Sequence, residues 1–181
     1  MVSLWTAILV ALVSAASAIL AAYMTNRASE RRLEIQAAIE KSKEFDKIKL
    51  MKAEEVYSEI LLFQRYIFST HMAWVNLSRE KITITQLNEF TDKYPAKASI
   101  ESISTKLGIF FPHLHEKFEK NRKLLSPAND CFFEMTSEKN LTLNEKKGFA
   151  NQILDAGKNF DGATDEILKD ISKHVSKMLS G

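Results

Sequence analysis

The side chains with most chemistry to offer are four histidines, one cysteine and the carboxylates around them. A metal centre needs several donors converging on one point. His113 and His115 stand two apart, which on a helix places them about 200° around the axis, so they cannot share an ion. His113 with Glu116, and His115 with Glu119, fall on common helical faces, but each pair is half of a site. The other two histidines are His71 and His174. No metal and no other cofactor is expected.

Nucleophilic chemistry is no better supported. Cys131 lies in Asp130-Cys131-Phe132-Phe133, an apolar setting that raises a thiol pKa and favours an inert, buried role. There is no G-x-S-x-G, H-E-x-x-H, P-loop or G-x-G-x-x-G pattern. The expectation is a non-enzyme with no small-molecule substrate identified.

Composition agrees. The chain has 25 Lys+Arg against 23 Asp+Glu over 181 residues, a formal charge of +2. That balance argues against a nucleic-acid binder with a broad basic face. A single cysteine excludes an intramolecular disulfide framework. Only 5 glycines and 3 prolines are present, too few for a sheet protein rich in tight turns. The fold class expected is all-α.

The strongest signal is Leu4 to Met24, a charge-free apolar run. At about 1.5 Å per residue it makes a helix about 32 Å long, enough to cross a hydrocarbon core of about 30 Å. Trp5 and Tyr23 stand near its two ends, where amphipathic rings favour the headgroup zone. A cleaved signal peptide is the competing assignment. The uncharged Met1-Val2-Ser3 start and the apolar Ile19-Leu20-Ala21-Ala22 beyond the small-residue site at Ala16-Ser17-Ala18 count against it. Arg27, Arg31 and Arg32 follow the run, with Glu30 the only acid beside them. By the positive-inside rule the N-terminus lies outside and the rest in the cytoplasm, giving a single-pass protein of the cell inner (plasma) membrane. The sequons at Asn76 and Asn140 then have no glycosylation role. Ala7, Ala11, Ser14, Ala18 and Ala21 recur at steps of four and three, a small-residue seam on which a second transmembrane helix can close.

Three segments follow: the transmembrane helix at 4–24, a charged helical stalk at 25–44, and a helical bundle at 45–181. No Gly or Pro interrupts Thr25 to Asn76, so the membrane helix is expected to continue as one rod, with a loose coiled coil in its charged part. Ala53, Val56, Ile60, Phe63, Ile67, Thr70 and Trp74 form its buried stripe, thickened by Leu61, Leu62 and Phe68. Thr83-Ile84-Thr85-Gln86 reads as a capping box for a helix that stops near Tyr94, before Pro95. The next helix carries Ile100, Ile103 and Leu107 and ends at Gly108. Pro112 and Pro127 suit first turns, the latter after a Ser126 N-cap. Thr142-Leu143-Asn144-Glu145 is a second capping box. Beyond it, Ile153, Gly157, Phe160, Thr164, Ile167, Ile171, Val175 and Met178 trace one face of one helix or two. Gly157 on that face marks a close crossing if the helix is single. Glu116–Lys120, Glu119–Lys123 and Asp165–Lys169 are expected i,i+4 pairs.

Phe110-Phe111-Pro112 is read first as a staple: the two aromatics fix the following helix to the core. Exposed instead, Phe110 and Phe111 would anchor a partner. The expected partners are the lipid bilayer and either further copies of the chain or other proteins of a membrane complex, without nucleic acid. The expected function is a membrane-anchored helical scaffold. The alternative is a membrane-acting effector, toxin-like or part of a phage-exclusion defence, that assembles through its transmembrane helix. An outward-facing sensor ranks last, because it needs the opposite orientation.

Overall fold

The computed structural model describes residues 4–137 and 141–180; the second sequon's Asn140 lies outside them. Among the described residues all regular structure is helical. The helices are α1 (Leu4–Ser78), α2 (Ile84–Lys93), α3 (Ile100–Phe110), α4 (Pro112–Arg122), a 3₁₀ turn (Lys123–Leu125), α5 (Ser126–Ser137) and α6 (Leu143–Leu179). The chain divides into two compact units, Met1–Ile48 and Lys49–Gly181.

In the first unit α1 is long and apolar enough to cross a membrane. Trp5 and every residue from Ala7 to Met24 are exposed. Ser17 and Thr25 donate their hydroxyls back to the carbonyls of Val13 and Ala21, both at 2.8 Å. Such back-bonding satisfies a hydroxyl within its own helix, which a lipid environment requires.

In the second unit the later part of α1 supplies Ala53, Val56, Ile60 and Phe63 to a core shared with Ile103, Leu107, Phe111, Leu114, Phe118, Phe160, Ile167 and Ile171. Phe63 meets Phe118 and Phe160 edge-on, at centroid distances of 6.4 and 5.9 Å. A second cluster joins Val75 to Ala128 and Cys131 of α5 and to Ala150, Ile153 and Ala156 of α6.

The buried stripe on α1 departs from the expected one after Phe63. His71, Val75 and Ser78 are buried, whereas Thr70 and Trp74 are half-exposed and Phe68 is exposed. The expected positions repeat every 3.5 residues; a straight helix turns every 3.6 and drifts about 20° per heptad, which moves the inward face to later residues.

Helix ends follow local chemistry. Both capping boxes form: Gln86 N donates to Thr83 Oγ1 at 3.3 Å and Glu145 N to Thr142 Oγ1 at 3.3 Å, with reciprocal bonds from the Thr83 and Thr142 amides. α2 stops at Lys93, as expected. α1 ends where Glu80 takes φ 58°. The Glu80 amide bonds Leu77 O and the Lys81 amide bonds Asn76 O, both at 2.9 Å, closing the last turn in a Schellman pattern. The Glu80 carboxylate then pairs with Lys146 at the start of α6.

Two boundaries need correction and one open alternative is settled. α3 runs through Gly108 to Phe110, because the break is set by Pro112, which disfavours the α conformation in Phe111. Ser126 is helical, since the 3₁₀ turn leads straight into α5, so it is no N-cap. The segment after Thr142 is one helix of 37 residues, with no break at Gly148, Gly157 or Gly162.

Candidate functional site

The fold brings three reactive side chains together that lie on two helices. Ser104 of α3 places Oγ 2.9 Å from His115 Nε2 and donates to Glu119 Oε1 at 2.8 Å, both on α4. Arg122 Nη1 donates to Glu119 Oε2 at 2.9 Å. The hydrogen bond from Ser104, then the guanidinium of Arg122, holds the Glu119 carboxyl below its usual pKa. Serine, imidazole and carboxylate are the parts of a nucleophilic triad, in which the imidazole stands between the other two and takes the serine proton. Here the serine stands in the middle. Its hydroxyl donates to Glu119, and the direction of its bond with His115 Nε2 follows the imidazole tautomer, so the serine–imidazole–carboxylate order of a triad is not formed. The geometry ties α3 to α4. The sequence shows the His115–Glu119 half of this cluster, but not Ser104, which only the α3–α4 turn brings near.

His113 lies beside His174 of α6, with ring centroids 6.3 Å apart. His174 meets Phe111 edge-on at 5.5 Å, and Lys49 Nζ sits 5.6 Å from the Phe111 centroid. Partial burial, then the charges of Lys49, His113 and Lys177, pull the His174 pKa down. Among the described residues no group of three or more His, Cys, Asp or Glu side chains converges as a metal site would.

His71 is 4% exposed, and its Nδ1 has no hydrogen-bond partner. Burial pushes its pKa down to about 4, so the ring is neutral near physiological pH. It packs on Trp74 at 5.3 Å, and Trp74 stacks on Phe132 of α5 at 4.3 Å. Gly157 makes room for the ring: a Cβ there would stand 3.1 Å from Nδ1. What approaches Gly157 is this side chain, with no neighbouring backbone among the described residues within 4 Å of that Cβ, so the glycine accommodates a ring rather than a close crossing of two helix backbones. Cys131 is buried and donates to Gln152 Oε1 at 2.8 Å. Burial, then Glu134 and Asp130, raises its thiol pKa.

Phe111 is fully buried and Phe110 is half-buried against the same core. Phe111 is therefore core, as the staple expects, and the alternative of an exposed partner anchor does not hold for it. Its amide donates to Leu107 O at 2.7 Å and its carbonyl accepts from Leu114 N at 2.8 Å, so one residue closes α3 and opens α4. That backbone position turns its side chain inward.

None of the three expected i,i+4 pairs forms among the described residues. Lys117 reaches Asp170 on α6. Glu119 takes Arg122, and Asp165 accepts from Gln64 Nε2 at 3.2 Å. A pair along one helix is worth only a few tenths of a kcal/mol, so a nearer partner on the same helix for Glu119, and Gln64 of α1 for Asp165, displace the expected ones.

In the first unit Ala7, Ala11, Ser14, Ala18 and Ala21 are all exposed, as are Arg27, Arg31 and Arg32. Arg32 borders a shallow surface cleft with Met24, Thr25, Ala28 and Ser29. Compared with known protein families, with curated proteins and with solved structures, the chain matches none.

Proposed function

We propose that the chain is a single-pass, membrane-anchored interaction protein of the inner (plasma) membrane. Leu4–Met24 spans the bilayer, and the helices after the stalk form a cytoplasmic bundle that serves as a non-catalytic docking module. The supporting observation is the exposed apolar surface of α1. Ile8, Leu9, Val10, Leu12, Val13, Ile19 and Leu20 are each 44–70% exposed. Moving these side chains from water into hydrocarbon is favourable by on the order of 10 kcal/mol. Arg27, Arg31 and Arg32 each add about 1 kcal/mol at anionic headgroups and keep their side of the helix in the cytoplasm. Confinement to one surface raises the bundle's effective concentration for neighbouring membrane proteins, a mechanism that needs no active site.

The experiment is affinity purification of the full-length chain from membranes in mild detergent, with the mass of the complex determined. A different protein recovered at fixed stoichiometry supports docking. A self-only assembly, abolished by Ala11→Phe or Ala18→Phe, favours the membrane-acting effector instead. Release from membranes by alkaline carbonate would refute the anchor itself. Activity of a reporter fused at the C-terminus only outside the cytoplasm would refute the orientation.

A further inference from the structure

Between the later part of α1 and the end of α2 lies a cleft of about 520 Å³, lined by Leu62, Tyr66, Ser69 and Thr70, by Phe90 and Tyr94, and by Arg65, Lys93 and Lys97. That volume suits a small ligand. Its apolar wall is anchored, because Leu62 and Tyr66 pack against the core. Phe90 and Tyr94 form an aromatic pair with centroids 5.0 Å apart, and Tyr94 is 52% exposed at the mouth. No carboxylate lines the cleft; Glu89 and Asp92 of α2 lie outside its walls. Among the described residues, Arg65, Lys93 and Lys97 belong to no ion pair. Lys93 instead sits 5.6 Å from the centroid of the Tyr94 ring. Arg65 also borders a neighbouring cleft with Asp161, again without an ion pair.

Several cations of this unit are tied into the fold, Lys106 with Glu59 and Glu55, Lys117 with Asp170, Arg122 with Glu119 and Lys146 with Glu80. Others, such as Lys120, Lys123 and Lys158, pair with no carboxylate among the described residues. What sets Arg65, Lys93 and Lys97 apart is that they border one cleft beside two aromatic rings. Three cations gathered around an aromatic pair in one cleft suit a ligand that brings both negative charge and a flat ring. We propose that this cleft binds a phosphate-bearing aromatic small molecule of mononucleotide size, its base stacked on Tyr94 with the tilted Phe90 ring at its edge and its phosphate held by Arg65 and Lys97. A guanidinium suits phosphate because its planar fork donates two parallel hydrogen bonds. An aromatic platform accepts any base, so recognition is of the nucleotide class rather than of one base. The assignment does not depend on membrane anchoring.

The test is calorimetric titration of the full-length protein in mild detergent with AMP, GMP, CMP and UMP, and with adenosine and inorganic phosphate as half-ligands. Saturable binding of at least one nucleotide is expected, at least tenfold tighter than adenosine or phosphate alone. Arg65→Ala and Tyr94→Ala should each weaken it about tenfold with helix content unchanged, since both side chains are exposed, and Tyr94→Phe should preserve it. No saturable nucleotide binding, or binding indifferent to both alanine variants, would overturn the proposal. So would equal binding of polyglutamate, which would make the cleft a generic anion or acidic-peptide surface.

Discussion

The three glycines of α6 set up a controlled comparison. At Gly148 and Gly162 nothing lies within 4 Å of where a Cβ would stand, whereas at Gly157 that carbon would be 3.1 Å from Nδ1 of His71. Replacing a mid-helix glycine by alanine gains about 0.8–1 kcal/mol. Gly148→Ala and Gly162→Ala should therefore each raise the melting temperature by about 2–4 °C for a chain of this size. At Gly157 the same gain meets a contact tighter than ordinary packing. The His71 ring is 4% exposed and backed by Trp74 at 5.3 Å, so it has little room to retreat. Overfilling such a site costs about 1–3 kcal/mol. The net effect of Gly157→Ala should thus lie between about zero and a loss of about 2 kcal/mol. In a His71→Ala background Gly157→Ala should recover the gain seen at Gly162, a coupling of about 1 kcal/mol or more. The assay is thermal unfolding of the full-length protein in mild detergent, followed by far-ultraviolet circular dichroism near neutral pH. If Gly157→Ala stabilises as much as Gly162→Ala, or if the His71→Ala background leaves its effect unchanged, the reasoning is refuted.

Three further outcomes follow from the same core. Because burial lowers the His71 pKa to about 4 from an ordinary 6.5, the unfolded chain takes up that proton first as the pH falls. The stability it contributes is fully present above about pH 6.5 and declines by on the order of 2–3 kcal/mol toward pH 4. His71→Phe should flatten that part of a urea-midpoint profile against pH, and an unchanged slope would assign it to other groups. Phe111→Ala should cost about 3–5 kcal/mol and Phe110→Ala clearly less, because Phe111 is fully buried and Phe110 is not; equal losses in denaturant melts would contradict the staple. Cys131 should resist maleimide in the folded protein, since it is buried with a raised pKa. It should label at the rate of a free thiol once urea unfolds the chain, and rapid labelling of the native state would place it at the surface.

Local chemistry made much of the fold legible. The scarcity of glycine and proline, the two Thr capping boxes and the prolines at 95 and 112 each act within a few residues. Helical content and the starts of α2 and α6 followed directly from them. The apolar run at 4–24 is legible for a related reason: length and the lack of charge are properties of the segment itself. The end of α1 was less visible, because Glu80 adopts a left-handed conformation that glycine ordinarily supplies, and its carboxylate finds Lys146 on a distant helix.

What the sequence determined by itself, then, is that the chain is helical, that one helix can cross a membrane and where α2, α4 and α6 begin, since these depend on neighbours along the chain. Tertiary structure alone decided which face of α1 turns inward beyond Phe63, because the drift of a 3.6-residue turn shows only when the helix meets its partners. It decided that Phe111 is core, that His71 sits against Gly157, and that Ser104 stands between His115 and Glu119. It also gathered Arg65, Lys93 and Lys97 around Tyr66, Phe90 and Tyr94. Each of these depends on a distance between residues far apart in sequence, and no local periodicity encodes such a distance.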